Sequence, residues 1–198
     1  MTSLLLATRN PGKKREIEDF FRAGGMTMPL LSLAELALSA DIEESAATFA
    51  GNARLKADFF SRLTGLDTLG DDSGLEVAAL GGRPGVFSAR YAGAGASDDD
   101  RIGKLLVEME NRADRRARFV SAVCLSRGGS PLAEFSGEVA GEILFSKRGE
   151  GGFGYDPVFL YPPLAKTFAE LPLEIKNGIS HRARALEQAR SFILSLRH

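Results

Sequence analysis

Leu4-Leu5-Leu6-Ala7-Thr8-Arg9-Asn10-Pro11-Gly12-Lys13 is the stretch on which the fold turns. Four apolar residues closed by Asn-Pro-Gly read as a buried strand ending in a turn. Ile17, Phe20 and Phe21 then recur at helical spacing, with Gly24-Gly25 as a stop. The pattern continues outward. A second helix is expected from about Thr48, with Phe49, Ala53, Phe60 and Leu63 on one face. Leu66 to Asp72 and Leu75 to Leu80 read as short strands separated by Ser73-Gly74. Ser97 before Asp98, Asp99 and Asp100 is a helix start, a capping hydroxyl followed by acids at the positive end of the dipole. Ile102, Leu105, Leu106 and Met109 supply the apolar stripe of that helix.

Arg118 to Ser126 and Leu132 to Phe145 are rich in strand formers, and Gly128-Gly129-Ser130-Pro131 joins them as a hairpin. A Gly-rich loop, Gly149 to Gly154, leads to a short strand from Pro157 to Tyr161. Ser180 caps a last helix whose Leu186, Ala189, Ile193 and Leu196 turn toward the core. Strands and helices interleave around an inserted hairpin, which predicts an α/β fold on a mixed sheet. No repeat, low-complexity tract or composition break marks a linker, so residues 1–198 are expected to form one domain.

The 198 residues carry 25 Lys and Arg against 26 Asp and Glu, a formal charge of -1. No global positive field is available to hold a polyanion, which argues against nucleic acid as the main partner. The single cysteine, Cys124, sits in the apolar run Phe119 to Leu125 and reads as a buried thiol in a reducing compartment. Apolar runs are too short to cross a bilayer, and Met1 leads directly into Ser3-Leu4-Leu5-Leu6 without a basic start. A cytoplasmic location with no membrane partner is the expectation.

Three familiar motifs fail on context. Gly149-Glu150-Gly151-Gly152-Phe153-Gly154 matches G-x-G-x-x-G, but Tyr155-Asp156-Pro157 follows where a dinucleotide fold needs a helix. Gly12-Lys13 lacks the first glycine and the hydroxyl residue of a P-loop. His181 and His198 are the only histidines, too few for a zinc cluster with Cys124.

Four polar segments remain, each where a strand ends or a helix begins. Thr8, Arg9, Asn10, Pro11, Gly12 and Lys13 offer a hydroxyl, an amide, helix-start N–H groups and an ammonium, all suited to phosphate oxygens. A solvated loop with a capping Asn explains them equally well. Asp71-Asp72-Ser73-Gly74 places two acids on opposite faces of a strand, one toward a cleft and the other toward solvent or backbone donors. A strand-end carboxylate suits Mg²⁺ ligation or water activation, and an Asx turn is the plainer alternative. Glu43-Glu44 precedes the second helix, where helix-start electrostatics account for both. Phe153-Gly154-Tyr155-Asp156, with Lys176 and with His181-Arg182, offers rings to stack a flat base and cations for phosphate or base oxygens. Core aromatics and a helix cap would serve as well. Taken together, the four describe a nucleoside triphosphate site.

At these residues the chain resembles the inosine triphosphate pyrophosphatase family, the XTP/dITP diphosphatases. The motifs are Ala7 to Lys13, Asp71-Asp72-Ser73-Gly74-Leu75, Gly81-Gly82-Arg83-Pro84-Gly85-Val86-Phe87-Ser88-Ala89-Arg90-Tyr91, Gly152 to Pro157 and Ile179-Ser180-His181-Arg182. The resemblance implies a two-lobed α/β fold around a long mixed sheet, an active cleft between the lobes and a homodimer. It implies Mg²⁺-dependent hydrolysis of ITP, dITP and XTP to the monophosphate and pyrophosphate. By position, Thr8 to Lys13 would hold the triphosphate with Ser73 and Lys176. Glu43 and Asp72 would hold the metal, and Asp72 would accept the proton. Phe153 to Asp156, His181 and Arg182 would receive the nucleoside. Where the family commonly has Glu-Asn-Ala, this chain has Gly51-Asn52-Ala53, so any ligand role of that Glu falls to Glu43, Glu44 or water. A pyrimidine-specific pyrophosphatase of the Maf type and a nucleotide sensor without turnover are the competing readings. The Ser180-His181-Arg182 segment argues against the first, and intact Lys13 and Asp72 against the second.

Overall fold

A computed structural model of the chain describes residues 2–196; Met1, Arg197 and His198 lie outside the described residues. In chain order the main elements are β1 (Leu4–Ala7), α1 (Pro11–Ala23), β2 (Leu30–Ser32), α2 (Phe49–Thr64), β3 (Thr68–Val77) and α3 (Asp98–Glu108). They are followed by β4 (Arg116–Arg127), β5 (Ser130–Ile143), β6 (Phe159–Tyr161), β7 (Lys166–Thr167), α4 (Leu173–Ile179) and α5 (His181–Ser195). The strands form one seven-stranded sheet in the order β2-β1-β3-β4-β5-β6-β7. β1 pairs parallel with β2 and β3, while β6 runs antiparallel to β5 and β7, so the sheet is mixed, as expected.

The chain divides into two compact units. Among the described residues, the first comprises residues 2–72, 121–137 and 181–196, and the second residues 73–120 and 138–180. In the first unit, alternation along β1 sends its side chains to two different cores. Leu4 and Leu6 pack with Ile17 and Phe21 of α1 and with Leu186, Ala189 and Ile193 of α5. Leu5 and Ala7 pack with Leu33 and with Phe60 of α2. Each leucine so buried stabilises the fold by roughly 1.5–3 kcal/mol. Gly70 of β3 is where α2 comes closest, since a Cβ there would lie 2.2 Å from the Ala53 carbonyl oxygen.

The second unit is built on Leu75, Val77, Ile102, Leu105, Met109 and the ring cluster Phe119, Phe159 and Phe168. Phe119 and Phe168 stack with centroids 5.8 Å apart. Ser97 caps α3 with its hydroxyl on the Asp100 N–H, and the Asp100 carboxylate returns to the Ser97 N–H, a complete capping box.

Several boundaries differ from the sequence reading. β3 runs unbroken through Ser73-Gly74, with the Leu75 N–H donating to Ser88 Oγ at 2.9 Å. Residues 78–80 form a short 3₁₀ turn rather than strand, as do residues 156–158. The β4–β5 hairpin turns on Gly128 and Gly129 alone, at φ +59° and +86°. Positive φ at both central residues is the type I′ geometry that matches strand twist, so Ser130 and Pro131 already belong to β5. Leu63 and Leu196 face outward at 51% and 41% exposure, each near a helix end where the apolar stripe rotates away from the core. β2, β7 and α4, at 3, 2 and 7 residues, are too short to carry a periodic signal.

Candidate functional site

The strand β1 and helix α1 are joined by Thr8, Arg9 and Asn10. Asn10 caps α1 by accepting from the Lys13 N–H at 3.0 Å, Pro11 takes the first helical position, and Thr8 Oγ1 accepts from the Asn10 N–H. Arg9 reaches away from this turn, donating to the carbonyls of Leu38 and Ala40 at 2.9 and 2.6 Å. Gly12 and the N–H groups of the first helical turn stand beside this loop, a geometry favourable to anions.

Lys13 Nζ lies 2.8 Å from Asp71 Oδ2 and 4.0 Å from Asp72 Oδ1. The two acids occupy opposite faces of β3, as expected, but neither faces solvent. Asp71 is 1% exposed and accepts from Ser121 Oγ at 2.9 Å and from Arg182 Nε at 3.2 Å. Arg182, itself 2% exposed at the start of α5, also ion-pairs with buried Glu16 of α1. Burial alone would push the Asp71 carboxyl up; the Arg182 guanidinium and the Lys13 ammonium outweigh it and hold it well below the usual carboxylate range. His181, beside Arg182, is buried as well.

On the other face of β3, Asp72 Oδ2 accepts from Asn52 Nδ2 at 3.1 Å, and Asp72 Oδ1 lies 3.4 Å from Lys56 Nζ. Lys56 also donates to Glu44 Oε1 at 2.8 Å. Burial raises the Asp72 carboxyl above its ordinary value, with Glu44 adding to the rise against the pull of Lys56 and Lys13. For Lys56, burial opposes the charge, but Asp72 and Glu44 prevail and hold the ammonium. Two hard carboxylates thus already converge on one cation, a donor pair suited to Mg²⁺. No group of three or more His, Cys, Asp or Glu side chains stands together among the described residues, so further oxygen ligands would have to come from substrate or water.

Glu43 is exposed and Glu44 half-buried. From Asp41 to Ala47 the chain alternates outward and inward, which turns Glu44 toward Lys56 and Glu43 to solvent. The resemblance implied Glu43 as the metal ligand, whereas it is Glu44 that turns inward to Lys56 and Glu43 that faces solvent; Lys56, Asn52 and Glu16 were not singled out as site residues. Helical spacing could have flagged Asn52 and Lys56, four residues apart on the α2 face that also carries Ala53 and Phe60.

In the second unit, Phe153, Gly154, Tyr155, Asp156 and Lys176 form one group. Asp156 Oδ2 accepts from the Phe153 N–H at 2.9 Å and is ion-paired with Lys176, both side chains being 3% exposed. The Lys176 ammonium lies 4.9 Å from the Phe153 ring centroid. Gly154 N–H donates to Asp98 Oδ2 at 2.6 Å, and the Tyr155 hydroxyl to the Ser88 carbonyl at 2.9 Å. Ser73, half-buried on β3, also belongs to this unit. Buried Cys124 is bonded to Ser126 Oγ, and burial pushes its thiol up to about 11, so it is an inert core thiol.

Among the described residues no helix is long and apolar enough to cross a membrane. Known proteins resemble the chain closely in sequence and in fold. A dITP/XTP pyrophosphatase of Geobacter sulfurreducens is 49% identical over 188 residues, 94% of each chain. One from Thermus thermophilus is 50% identical over 185 residues, covering 92% of this chain and 87% of its own. The solved structure of a HAM1 protein from Coxiella burnetii superposes with a TM-score of 0.88 at 40% identity, covering 98% of this chain and all of the other. The Staphylococcus aureus Ham1 protein gives 0.86 at 40% identity over 98% of each. The sequence profile of the Ham1 family matches residues 4–192, and with relatives this similar over nearly the whole length, the chain belongs to the Ham1 family.

Proposed function

We propose that this chain hydrolyses the non-standard purine nucleotides ITP, dITP and XTP to the monophosphate and pyrophosphate, clearing them from the nucleotide pool. The observation that carries the reading is Asp72: a carboxylate 5% exposed, held by Asn52 and Lys56, 4.0 Å from the ammonium that follows the α1 phosphate turn. The names of relatives 49% and 50% identical support the substrate class.

In this mechanism the N–H groups at the start of α1, with Thr8, Asn10 and Lys13, hold the triphosphate. Ser73 and Lys176 assist. Lys13 opposes the negative charge that grows on the departing pyrophosphate, where an interaction lowers the barrier rather than merely tightening binding. Asp72 accepts the proton of the attacking water as the α–β anhydride bond breaks. Glu44 and Asp72 would hold Mg²⁺, which supplies charge neutralisation at the phosphates. Phe153, half-buried beside the Lys176 ammonium, is the ring available to stack a base, while the Arg182 guanidinium is taken up by Glu16 and Asp71. A base carbonyl at the six position calls for a donor, and an adenine amino group facing that donor leaves both unsatisfied. Family membership is what supports a homodimer, which sedimentation equilibrium reads directly.

One nucleotide panel tests the reading. ITP, dITP and XTP should give pyrophosphate as first product, ATP far less, and all activity should stop in excess chelator. Orthophosphate as first product, or equal turnover of pyrimidine nucleotides, would refute it; the second outcome would favour a Maf-type specificity. Nucleotide binding without turnover would leave a sensor.

A further inference from the structure

We propose that Asn52 is a positioning residue that ties the segment carrying Glu44 to the Asp72 carboxylate, and that glycine at position 51 lets this segment approach α2 closely enough. Asn52 is completely buried, and both ends of its amide are used. Oδ1 accepts from the Ala46 N–H at 2.9 Å, two residues beyond Glu44. Nδ2 donates to Asp72 Oδ2 at 3.1 Å. One turn further along α2, Lys56 bridges the same two parts of the chain, from Glu44 Oε1 to Asp72 Oδ1. Asn52 and Lys56 therefore form two rungs between Glu44's segment and β3, one neutral and one charged. Lys56 can swing on four methylenes. Asn52 has a short, buried side chain and fixes the spacing.

Glycine is the least helix-favouring residue apart from proline, yet position 51 lies in the first turn of α2 with ordinary helical backbone. Its need is steric. A Cβ at 51 would sit 2.6 Å from Ala46 Cβ and 3.1 Å from Thr48 Oγ1, the hydroxyl that caps the helix through the Gly51 N–H. Carbon atoms do not approach so closely, so any side chain at 51 must push the Ala46 backbone outward. The Ala46 N–H would then leave Asn52, and Glu44 would move off with it. Glycine at this position is thus coupled to the seating of Glu44.

The inference rests on the proposed metal-assisted reaction for its consequence, but its geometry can be read without nucleotide. In Gly51→Ala the Ala46 amide should lose its protection from hydrogen exchange. Manganese binding, followed by water-proton relaxation in the absence of nucleotide, should weaken by about tenfold, as for loss of a partner that orients a metal ligand. Adding Ala46→Gly removes the colliding methyl while keeping the amide N–H, so the double variant should regain both. An unchanged Ala46 amide or manganese affinity in Gly51→Ala overturns the inference, as does a double variant no better than the single one. Wild-type protein that binds no manganese overturns the metal reading itself, and the inference with it.

Discussion

Arg182→Met removes the guanidinium that stands between two buried carboxylates and keeps most of the side chain's volume. Glu16 is 3% exposed and Asp71 1%, so neither acid can be rehydrated in place. Breaking a buried ion pair by deleting one partner costs about 3–5 kcal/mol, because a charge is left uncompensated. Lys13 remains 2.8 Å from Asp71 and offsets part of this, which sets the expectation at the lower end. For a chain of this size each kcal/mol shifts Tm by roughly 2–4 °C, giving a fall of about 6–12 °C at pH 7. The pH dependence identifies the cause. In the wild type the Asp71 carboxyl lies below its ordinary 3.8, so its contribution is complete above about pH 4 and is lost as the pH falls further. Without Arg182, burial lifts that carboxyl, and the penalty persists only while it is ionised. The Tm gap between the two proteins should therefore be widest near neutrality and narrow toward pH 4. Differential scanning calorimetry from pH 4 to 8 measures this. A gap under about 2 °C at pH 7, or one that widens on acidification, would refute the argument that Arg182 compensates buried charge.

Asp72→Asn should lower kcat by about 10²–10⁴-fold while nucleotide still binds in equilibrium dialysis, since asparagine cannot accept the proton. Lys56→Met removes a charge that lowers the Asp72 carboxyl, so the acid limb of kcat/KM should move to higher pH; an unmoved limb separates the two groups. Ser97→Ala opens the capping box of α3 and should cost about 1 kcal/mol, read as a Tm fall of roughly 2–4 °C.

Much of this molecule was legible locally. The apolar run of β1 closed by Asn10-Pro11, the Thr48 and Ser97 caps, and the paired glycines of the hairpin are read by forces acting within a few residues: backbone preference, capping and periodicity. Asn10 and Pro11 at the start of α1 and His181 at the start of α5 were legible as helix starts, whereas Asp71 to Leu75 lie inside the unbroken strand β3. What the sequence left open depended on partners distant along the chain. β3 continues through Ser73-Gly74, with the Leu75 N–H satisfied by the hydroxyl of Ser88 further along the chain. Glu43 and Glu44 are indistinguishable until Lys56 of α2 selects one. Arg182 at a helix start looked like a ligand for base or phosphate; tertiary packing set it on Glu16 and Asp71 instead, since a buried guanidinium must take its counter-charges from whichever elements pack around it. Local preference chose the elements, and long-range compensation of buried charge chose the work of their side chains.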